Sequence, residues 1–189
     1  MILVFDIGNT NVVFGVMKDG EVLNQLRIQS DMMKTTDEYA ISILSLIHYN
    51  NIPMEQVNAV LISSVVPPLT YTFSKLVNKY FKIQPQIVDT TSDHGLDIKL
   101  DIPATLGSDR LMTAVAARNM YSGNCITVDY GTATTIEVLT AKGEFLGGII
   151  FPGVKLSAES LHRQTAQLPQ VEIGCPENVI GTNTIASIQ

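Results

Sequence analysis

Short apolar runs and turn residues alternate at the beginning of the chain. Residues 1–7 (MILVFDI) form a β-rich apolar run, residues 12–16 form another, and Gly8-Asn9-Thr10 lies between them. The Asp19-Gly20 dipeptide is typical of a hairpin turn, and residues 21–28 after it again favour a strand. The pattern therefore predicts that the chain opens as a three-stranded meander.

Helical and strand-like patterns alternate after this meander. Helical spacing places Tyr39, Ile43, Leu44 and Ile47 on one apolar face. The predicted elements are a helix at 35–50, a buried strand at 57–66 stopped by Pro67-Pro68, a helix at 69–81 and a short strand at 86–88. The order βββ-α-β-α-β is typical of a mixed α/β layer, which is expected to end near Thr91.

An internal repeat indicates that this layer occurs twice. Residues 92–106 are loop-like, residues 106–120 favour a helix, and residues 124–130 favour a buried strand. An offset of 123 positions then aligns identical residues on turn and site positions of two similar strand patterns. The aligned pairs are Asp6 with Asp129, Gly8 with Gly131, Gly20 with Gly143, Glu21 with Glu144, and Leu23 with Leu146. We expect two similar domains, at residues 1–122 and 123–189.

The second copy has a shorter continuation than the first. Its predicted elements are a strand at 144–151, the Pro152-Gly153 pair, a polar helix at 154–167, a Pro-containing loop at 168–181 and a helix start at 182–183. The β-α-β tail of the first copy has no counterpart, which corresponds to roughly 50–60 residues at average element lengths. The sequence thus predicts that the second domain is incomplete in this chain.

Composition and charge exclude several classes of function. The chain has 189 residues, a net charge of −6 and 46% hydrophobic residues. An acidic protein repels phosphate backbones, so general nucleic-acid binding is disfavoured. No apolar run reaches the roughly 18 residues that span a bilayer. The opening MILVFDIGNT lacks a basic region and a cleavage site, so we expect no signal peptide and two reduced cysteines, Cys125 and Cys175, in the cytoplasm.

The first candidate site is the loop that directly follows the first predicted strand. Asp6 is placed to hold Mg²⁺, directly or through water. Gly8 allows close approach of a phosphate, and Asn9, Thr10 and Asn11 offer amides and hydroxyls for its oxygens. An ordinary hairpin turn explains the same residues, because Gly-Asn is also turn chemistry. This loop alone leaves both interpretations open.

The repeat supplies a second loop of the same kind, Asp129-Tyr130-Gly131-Thr132 followed by Ala133-Thr134-Thr135. Threonines on a strand edge explain part of it, but an acid that ends an apolar strand is costly without a partner. Two facing D-x-G loops can clamp a nucleoside triphosphate, as in actin-like, sugar-kinase and heat-shock ATPases. The chain has no G-x-x-x-x-G-K-[ST] motif, so a P-loop fold is rejected.

A third motif, Gly107-Ser108-Asp109-Arg110, lies at a predicted helix start. Ser108 or Asp109 could simply cap that helix, and Arg110 could be a solvated surface charge. The functional interpretation is that Asp109 accepts a proton from a substrate hydroxyl. Arg110 would then hold a substrate carboxylate or a transferring phosphate in bidentate fashion.

Together these motifs resemble the type III pantothenate kinases over the whole chain. The matching segments are DIGNTNVVFG at 6–15, SSVVPPL at 63–69, LGSDRL at 106–111, VDYGTATTIEVL at 128–139, GGIIFPGV at 147–154 and GTNTIASIQ at 181–189. The resemblance implies an α/β fold of two actin-like (ribonuclease H-like) domains with mixed five-stranded sheets. It also implies a homodimer and ATP-dependent phosphorylation of the primary hydroxyl of pantothenate, the first step of coenzyme A synthesis.

The resemblance also implies roles for individual residues. The expected ATP-binding residues are Asp6, Ile7, Gly8, Asn9, Thr10, Asn11, Val12, Val13 and Thr132, with Asp6 nearest Mg²⁺. The expected pantothenate-binding residues are Gly107, Ser108, Asp109, Arg110 and Thr184, with Asp109 as the catalytic base. Asp129 is expected to bind a monovalent cation, K⁺ or NH₄⁺.

The chain departs from the family pattern at a few positions. Ser108 stands where the family usually has Ala, and Tyr130 stands where Phe is commoner. Leu100 stands where many members have a Tyr that touches the substrate, which puts substrate affinity in question. The alternatives are another actin-like small-molecule kinase, or a catalytically silent regulatory homologue of the transcription accessory factor type. The presence of Asp6, Asp109 and Asp129 argues against the silent homologue.

Overall fold

The computed structural model describes all 189 residues and contains two β-sheets. The elements of the first half are β1 (Ile2–Ile7), β2 (Asn11–Lys18), β3 (Glu21–Gln29), α1 (Thr36–Tyr49), β4 (Ala59–Ser64), α2 (Pro67–Leu76) and β5 (Gln86–Val88). The first sheet has the order β3-β2-β1-β4-β5, in which β1 pairs antiparallel with β2 and parallel with β4. The predicted meander and the order of the elements after it are confirmed.

Local sequence signals explain where the two helices of this half begin. Thr35 accepts a hydrogen bond from the backbone N–H of Glu38, whose carboxylate accepts one from the Thr35 N–H, so α1 starts with a capping box. Pro67 and Pro68 lie in the first turn of α2. They begin the helix rather than precede it, because a proline there leaves no intrahelical hydrogen bond unmade.

The second half contributes a smaller sheet. Its elements are β6 (Asp97–Ile98), α3 (Ser108–Met120), β7 (Cys125–Tyr130), β8 (Ala133–Leu139), β9 (Glu144–Pro152), α4 (Val154–Gln164) and α5 (Thr184–Ile188). The sheet has four strands in the order β6-β9-β8-β7, so the expectation of five strands is correct for the first sheet and wrong for the second. Strand β6 lies inside the segment predicted as a loop. Its two residues are fixed by parallel pairing with Glu144 and Phe145, far away in sequence, so local pattern could not reveal it.

Two hydrophobic clusters of unequal size stabilise the two sheets. The larger comprises 19 buried residues, in which the ring of Phe73 on α2 packs 5.3 Å from Phe5 and 4.8 Å from Tyr39. The smaller comprises Leu106, Leu111, Ala114, Leu139 and Phe145. Helix α3 therefore packs on the second sheet although it precedes residue 123, and the boundary between residues 122 and 123 stays a prediction.

The opposite face of the second sheet is open to solvent. Ile126 on β7 and Ile149 on β9 are 66% and 59% exposed. Both cysteines are free thiols. None of the helices is both long enough and apolar enough to cross a lipid bilayer.

Candidate functional site

The β1–β2 turn is held in a single shape by hydrogen bonds from its own backbone and from Ser30. The Gly8 N–H donates to the Asn11 carbonyl at 3.0 Å, and the Ser30 hydroxyl donates to the Gly8 carbonyl at 2.6 Å. The Ser30 N–H also donates to the Thr10 carbonyl at 3.0 Å. Asn9 and Thr10 remain exposed. The turn is thus a rigid loop that presents polar groups outward.

Two predicted ATP-binding residues face away from this loop. The side chains of Ile7 and Val12 are 0% exposed and belong to the larger hydrophobic cluster. Because β1 and β2 alternate between faces, only the backbone of these two residues is available to a ligand.

The β7–β8 turn is also closed by a backbone hydrogen bond from its glycine, although the acceptor is one position nearer than in the first loop. The Gly131 N–H donates to the Ala133 carbonyl at 3.0 Å, and the Gly153 N–H donates to the Thr132 carbonyl at 2.9 Å. A Cβ atom at Gly153 would lie 2.6 Å from that same carbonyl oxygen, so a side chain there would push the loop away. Sequence reasoning did not predict that Gly153 supports the second loop, although the Pro152-Gly153 pair before a helix was visible as a signal.

The two loops meet across the cleft between the sheets. Thr10 Oγ1 and Thr132 Oγ1 are 2.7 Å apart, although 122 positions separate them in sequence. The structure therefore brings together the two D-x-G motifs that the repeat aligned.

Three carboxylates from three different motifs face this cleft. The pKa of Asp6 is raised above its ordinary value of 3.8, chiefly because surrounding protein atoms partly desolvate the charged form, although the residue remains exposed to solvent. Repulsion from Asp109 and, more weakly, from Asp129 raises it further. Because Asp109 and Asp129 both influence the pKa of Asp6, all three acids lie in one negatively charged cleft. They do not form a ready-made cage, because no three acidic, His or Cys side chains are close enough to hold one ion together.

Replacing Asp6 by asparagine is expected to stabilise the metal-free protein at neutral pH. Because the folded-state pKa of Asp6 is raised, its contribution to stability is present below pH 3.8 and is lost as the pH rises through the folded pKa. The melting temperature of Asp6→Asn should therefore exceed that of the wild type at about pH 7, and the two melting temperatures should be equal at about pH 3.5.

Thermal unfolding followed by circular dichroism, with chelator present, measures this difference. Asp93→Asn, at an exposed loop acid, is the matched control and should show no such pH dependence. A wild type more stable than Asp6→Asn at pH 7 would contradict the prediction.

Helix α3 begins without a side-chain cap. Its N-cap is Gly107, and Ser108 occupies the first helical position. The Ser108 hydroxyl, 7% exposed, accepts hydrogen bonds from the Ser64 N–H at 2.9 Å and from the Ser63 hydroxyl at 3.1 Å. The capping interpretation of Ser108 and Asp109 is therefore wrong. Ser108 instead ties the start of α3 to the end of β4, next to Asp6.

Asp109 points out of this helix start. Its Oδ1 atom accepts a hydrogen bond from the Arg110 N–H at 2.7 Å, and the residue is exposed. A Cβ atom at Gly107 would lie 2.5 Å from Asp109 Oδ1, so the glycine leaves room for the carboxylate.

Arg110 is not a solvated surface charge. Its Nε and Nη2 atoms donate to the two carboxylate oxygens of Glu137, at 2.5 and 2.8 Å. These hydrogen bonds raise the pKa of Arg110, and Glu137 itself is 1% exposed. A guanidinium can bind a ligand in bidentate fashion through either of two edges. Glu137 thus occupies one of these, the Nε edge of Arg110. Sequence reasoning missed Glu137, although an acid between Ile136 and Val138 on a strand was a visible anomaly.

Other predicted residues lie outside this group. Thr184 is exposed at the start of α5, and no hydrogen bond joins it to the 107–110 segment. Its role stays a prediction. Leu100 is half-buried and packs against the smaller hydrophobic cluster.

A cavity of about 710 Å³ lies beside the second loop. Its lining includes Tyr130, Gly131, Val154, Ala158 and Glu159. Its volume is within the range of roughly 300–1,000 Å³ that small-molecule sites occupy.

Comparison with known proteins gives one family match along almost the whole chain. The sequence profile described as type III pantothenate kinase matches residues 2–189.

Solved structures with a similar fold include a conserved protein from Campylobacter jejuni, provisionally described as a Baf family transcriptional activator. The TM-score is 0.55 at 21% identity, covering 98% of this chain and 71% of that one. Another is a protein from Sinorhizobium meliloti provisionally described as a 2-dehydro-3-deoxygalactonokinase. Its TM-score is 0.50 at 11% identity, covering 87% of this chain and 57% of that one. These likenesses confirm the predicted mixed α/β, actin-like (ribonuclease H-like) fold.

Proposed function

The chain belongs to the type III pantothenate kinase family, and on that premise we propose that it transfers the γ-phosphate of ATP to the primary hydroxyl of pantothenate. The product would be 4′-phosphopantothenate, in the first step of coenzyme A biosynthesis. One observation carries the proposal. The two D-x-G loops meet at Thr10 and Thr132, 2.7 Å apart, in a cleft that Asp6, Asp109 and Asp129 also face.

The residues at the cleft fit the cations that such a reaction uses. Asp6 carries a raised pKa partly because two other acids repel it, so negative charge accumulates in the cleft around Asp6. The donors are carboxylate and hydroxyl oxygens, which suit hard cations such as Mg²⁺ and K⁺. We assign Asp6 to Mg²⁺ and Asp129 to a monovalent cation, K⁺ or NH₄⁺. Bound cations would neutralise charge on the phosphates.

The protein would bind its two substrates through separate segments. The proposed ATP-binding residues are Asp6, Ile7, Gly8, Asn9, Thr10, Asn11, Val12, Val13 and Thr132. The proposed pantothenate-binding residues are Gly107, Ser108, Asp109, Arg110 and Thr184. The rigid backbone of the first loop suits phosphate oxygens, and the cavity beside Gly131 suits a nucleoside in size and place.

Asp109 would act as the base. A phosphoryl-transfer transition state is loose, so catalysis depends on position and on charge neutralisation more than on strong proton abstraction. Asp109 is exposed, so its carboxylate can accept the hydroxyl proton as the new P–O bond forms. The neighbouring Arg110 would orient an anionic group of the substrate.

The decisive test is a coupled ADP-release assay with pantothenate. We expect turnover that requires pantothenate, ATP and Mg²⁺ together and that increases when K⁺ or NH₄⁺ replaces Na⁺. Sugar acids and amino sugars serve as comparison acceptors, because other actin-like kinases use substrates of that type. Folded protein without a pantothenate-dependent signal would overturn the proposal, and a preferred sugar acceptor would favour another kinase of this fold.

We further propose that the enzyme works as a homodimer in the cytoplasm, with no nucleic-acid or membrane partner. The net charge of −6 supports the absence of a nucleic-acid partner. Light scattering coupled to gel filtration measures the oligomeric state, and a monomeric mass at micromolar concentration would contradict the dimer.

Replacing Gly107 by alanine is expected to lower kcat by about 10- to 100-fold, because small displacements of a reacting group are costly. The new methyl group would overlap Asp109 Oδ1, which must then rotate away. The fold should survive, since the displaced atom is the end of a flexible side chain. The ADP-release assay and a thermal melt measure the two effects. The matched control is Gly174→Ala, where an added Cβ meets only the end of the Gln189 side chain at an ordinary 3.8 Å. Unchanged kcat would show that Asp109 need not occupy its observed position.

A further inference from the structure

A buried ion pair joins the second sheet to the start of α3. Glu137 on β8 is 1% exposed, and the side chain of Arg110 is 16% exposed. Both carboxylate oxygens accept from the guanidinium, in the parallel bidentate geometry that fixes both position and orientation. The pair links the helix that carries the proposed catalytic base, Asp109, to the sheet that carries Asp129.

The second sheet is shaped to accommodate this pair. Gly148 lies opposite Glu137 in the β8–β9 register, and a Cβ atom at Gly148 would overlap the Ile136 carbonyl oxygen and lie 2.6 Å from Glu137 Oε2. The Phe145 ring lies beneath the guanidinium, 5.7 Å from Arg110 Cζ. Gly148 leaves space for the carboxylate, the Phe145 ring packs against the guanidinium, and the buried Glu137 binds it. These three features indicate that the structure holds Arg110 in a defined position.

The pairing determines what Arg110 can offer a ligand. A guanidinium has five N–H donors, of which Glu137 takes one on Nε and one on Nη2. The remaining three are on Nη1 and Nη2, so only the outer end of the group is left to bind. Glu137 already neutralises the positive charge of Arg110. Arg110 would therefore recognise a ligand through the direction of its hydrogen bonds more than through long-range charge attraction.

We propose that Glu137 is a positioning residue for the acceptor substrate. It holds Arg110 so that the outer Nη1–Nη2 end grips an anionic group of the acceptor next to Asp109. This rests on the proposed function, since the acceptor there is pantothenate and its anionic group is the carboxylate. Glu137 touches no substrate itself and acts only through Arg110.

The central test is Glu137→Gln, which keeps the side-chain volume but removes the charge and one acceptor. We expect the KM for pantothenate to rise by about 10- to 100-fold, with the KM for ATP unchanged and kcat within about threefold. The matched control is Glu144→Gln on the same sheet, where the carboxylate contacts only Thr140 and the kinetics should not change. A pantothenate KM that stays the same, or equal losses for both substrates, would overturn the proposal.

A second variant keeps the test decisive if Glu137→Gln does not fold, which is a risk because the variant leaves Arg110 without a countercharge. Glu137→Asp retains the charge but shortens the side chain, so the carboxylate no longer reaches both donors. It should raise the pantothenate KM selectively, and an unchanged KM would overturn the proposal.

A measurement without substrate separates this inference from the proposed function. The Arg110 Nε–H should give a protected ¹⁵N-correlated NMR signal in the wild type that disappears in Glu137→Gln. If the wild type shows this signal but no pantothenate turnover, the pair exists and the proposed function is wrong, and with it the substrate role of Glu137. Turnover without the signal would instead overturn the positioning role alone.

Discussion

Replacing Asp109 by asparagine is expected to lower kcat for pantothenate phosphorylation by about 10²- to 10⁴-fold, the usual contribution of a positioned general base. The loss arises because an amide oxygen cannot accept the hydroxyl proton as the phosphoryl group is transferred. The fold should be unaffected, since residue 109 is exposed and an asparagine Oδ1 can still accept the 2.7 Å hydrogen bond from the Arg110 N–H.

The coupled ADP-release assay, run at saturating ATP and pantothenate, measures this change directly. Binding of both substrates should remain close to wild type, because the variant keeps size, shape and hydrogen-bonding capacity. Asp101→Asn, at an exposed acid in the segment before α3, provides a control for the loss of one surface charge. A kcat for Asp109→Asn within about threefold of wild type would mean that Asp109 is not the base.

The sequence predicted the parts of the site that depend on local chemistry. A D-x-G turn after an apolar strand predicted the first loop at Asp6 and Gly8, the repeat predicted the second at Asp129 and Gly131, and both turns are present in the structure. Strand alternation and turn residues determine such features within a few positions, so they can be inferred from one sequence. The meeting of the two loops at Thr10 and Thr132 agrees with that inference.

The parts that escaped sequence analysis depend on contacts between distant residues. The Ser108 hydroxyl has its partners at Ser63 and Ser64, more than 40 positions away, and local pattern therefore suggested a cap. Strand β6 exists only because β9 pairs with it. The same holds for Arg110, whose partner Glu137 is 27 positions away. Taken alone, the sequence motif around Arg110 was compatible with either a surface charge or a ligand-binding group.

Several charged residues of the candidate site lie in environments that selection for folding stability alone would not favour. The pKa of exposed Asp6 is raised because partial desolvation and two neighbouring acids oppose its charge. A buried Glu137 needs a glycine opposite and an arginine partner to be tolerated. Departures of this kind are expected where a sequence serves chemistry as well as folding. Their convergence on one cleft agrees with the proposed function.

Replacing Phe145 by alanine is expected to disrupt the second sheet selectively. Phe145 is fully buried in a cluster of five residues, whereas the first sheet has a cluster of 19. Removing a buried phenylalanine costs about 3–5 kcal/mol. A core this small has few other contacts to compensate for the loss. The variant also removes the ring beneath Arg110 and should therefore raise the KM for pantothenate.

Hydrogen exchange measured by mass spectrometry can localise the effect. Backbone amides of β7, β8 and β9 should lose protection in Phe145→Ala while β1, β2 and β4 keep theirs. Phe151→Ala is the matched control, because Phe151 is on the same strand but 44% exposed, and it should leave protection nearly unchanged. Equal loss of protection in both sheets would contradict the prediction and would show that the two clusters unfold as one cooperative unit.

The behaviour of α3 in this experiment bears on the predicted boundary between residues 122 and 123. Leu111 and Ala114 of α3 are buried against Leu139 and Phe145, yet Ser108 at its start is hydrogen-bonded to β4 of the first sheet. If α3 loses protection together with β7–β9, the second cooperative unit begins before residue 123. If α3 stays protected, its attachment through Ser108 is the stronger one, and Asp109 belongs with Asp6 to the stable part of the molecule.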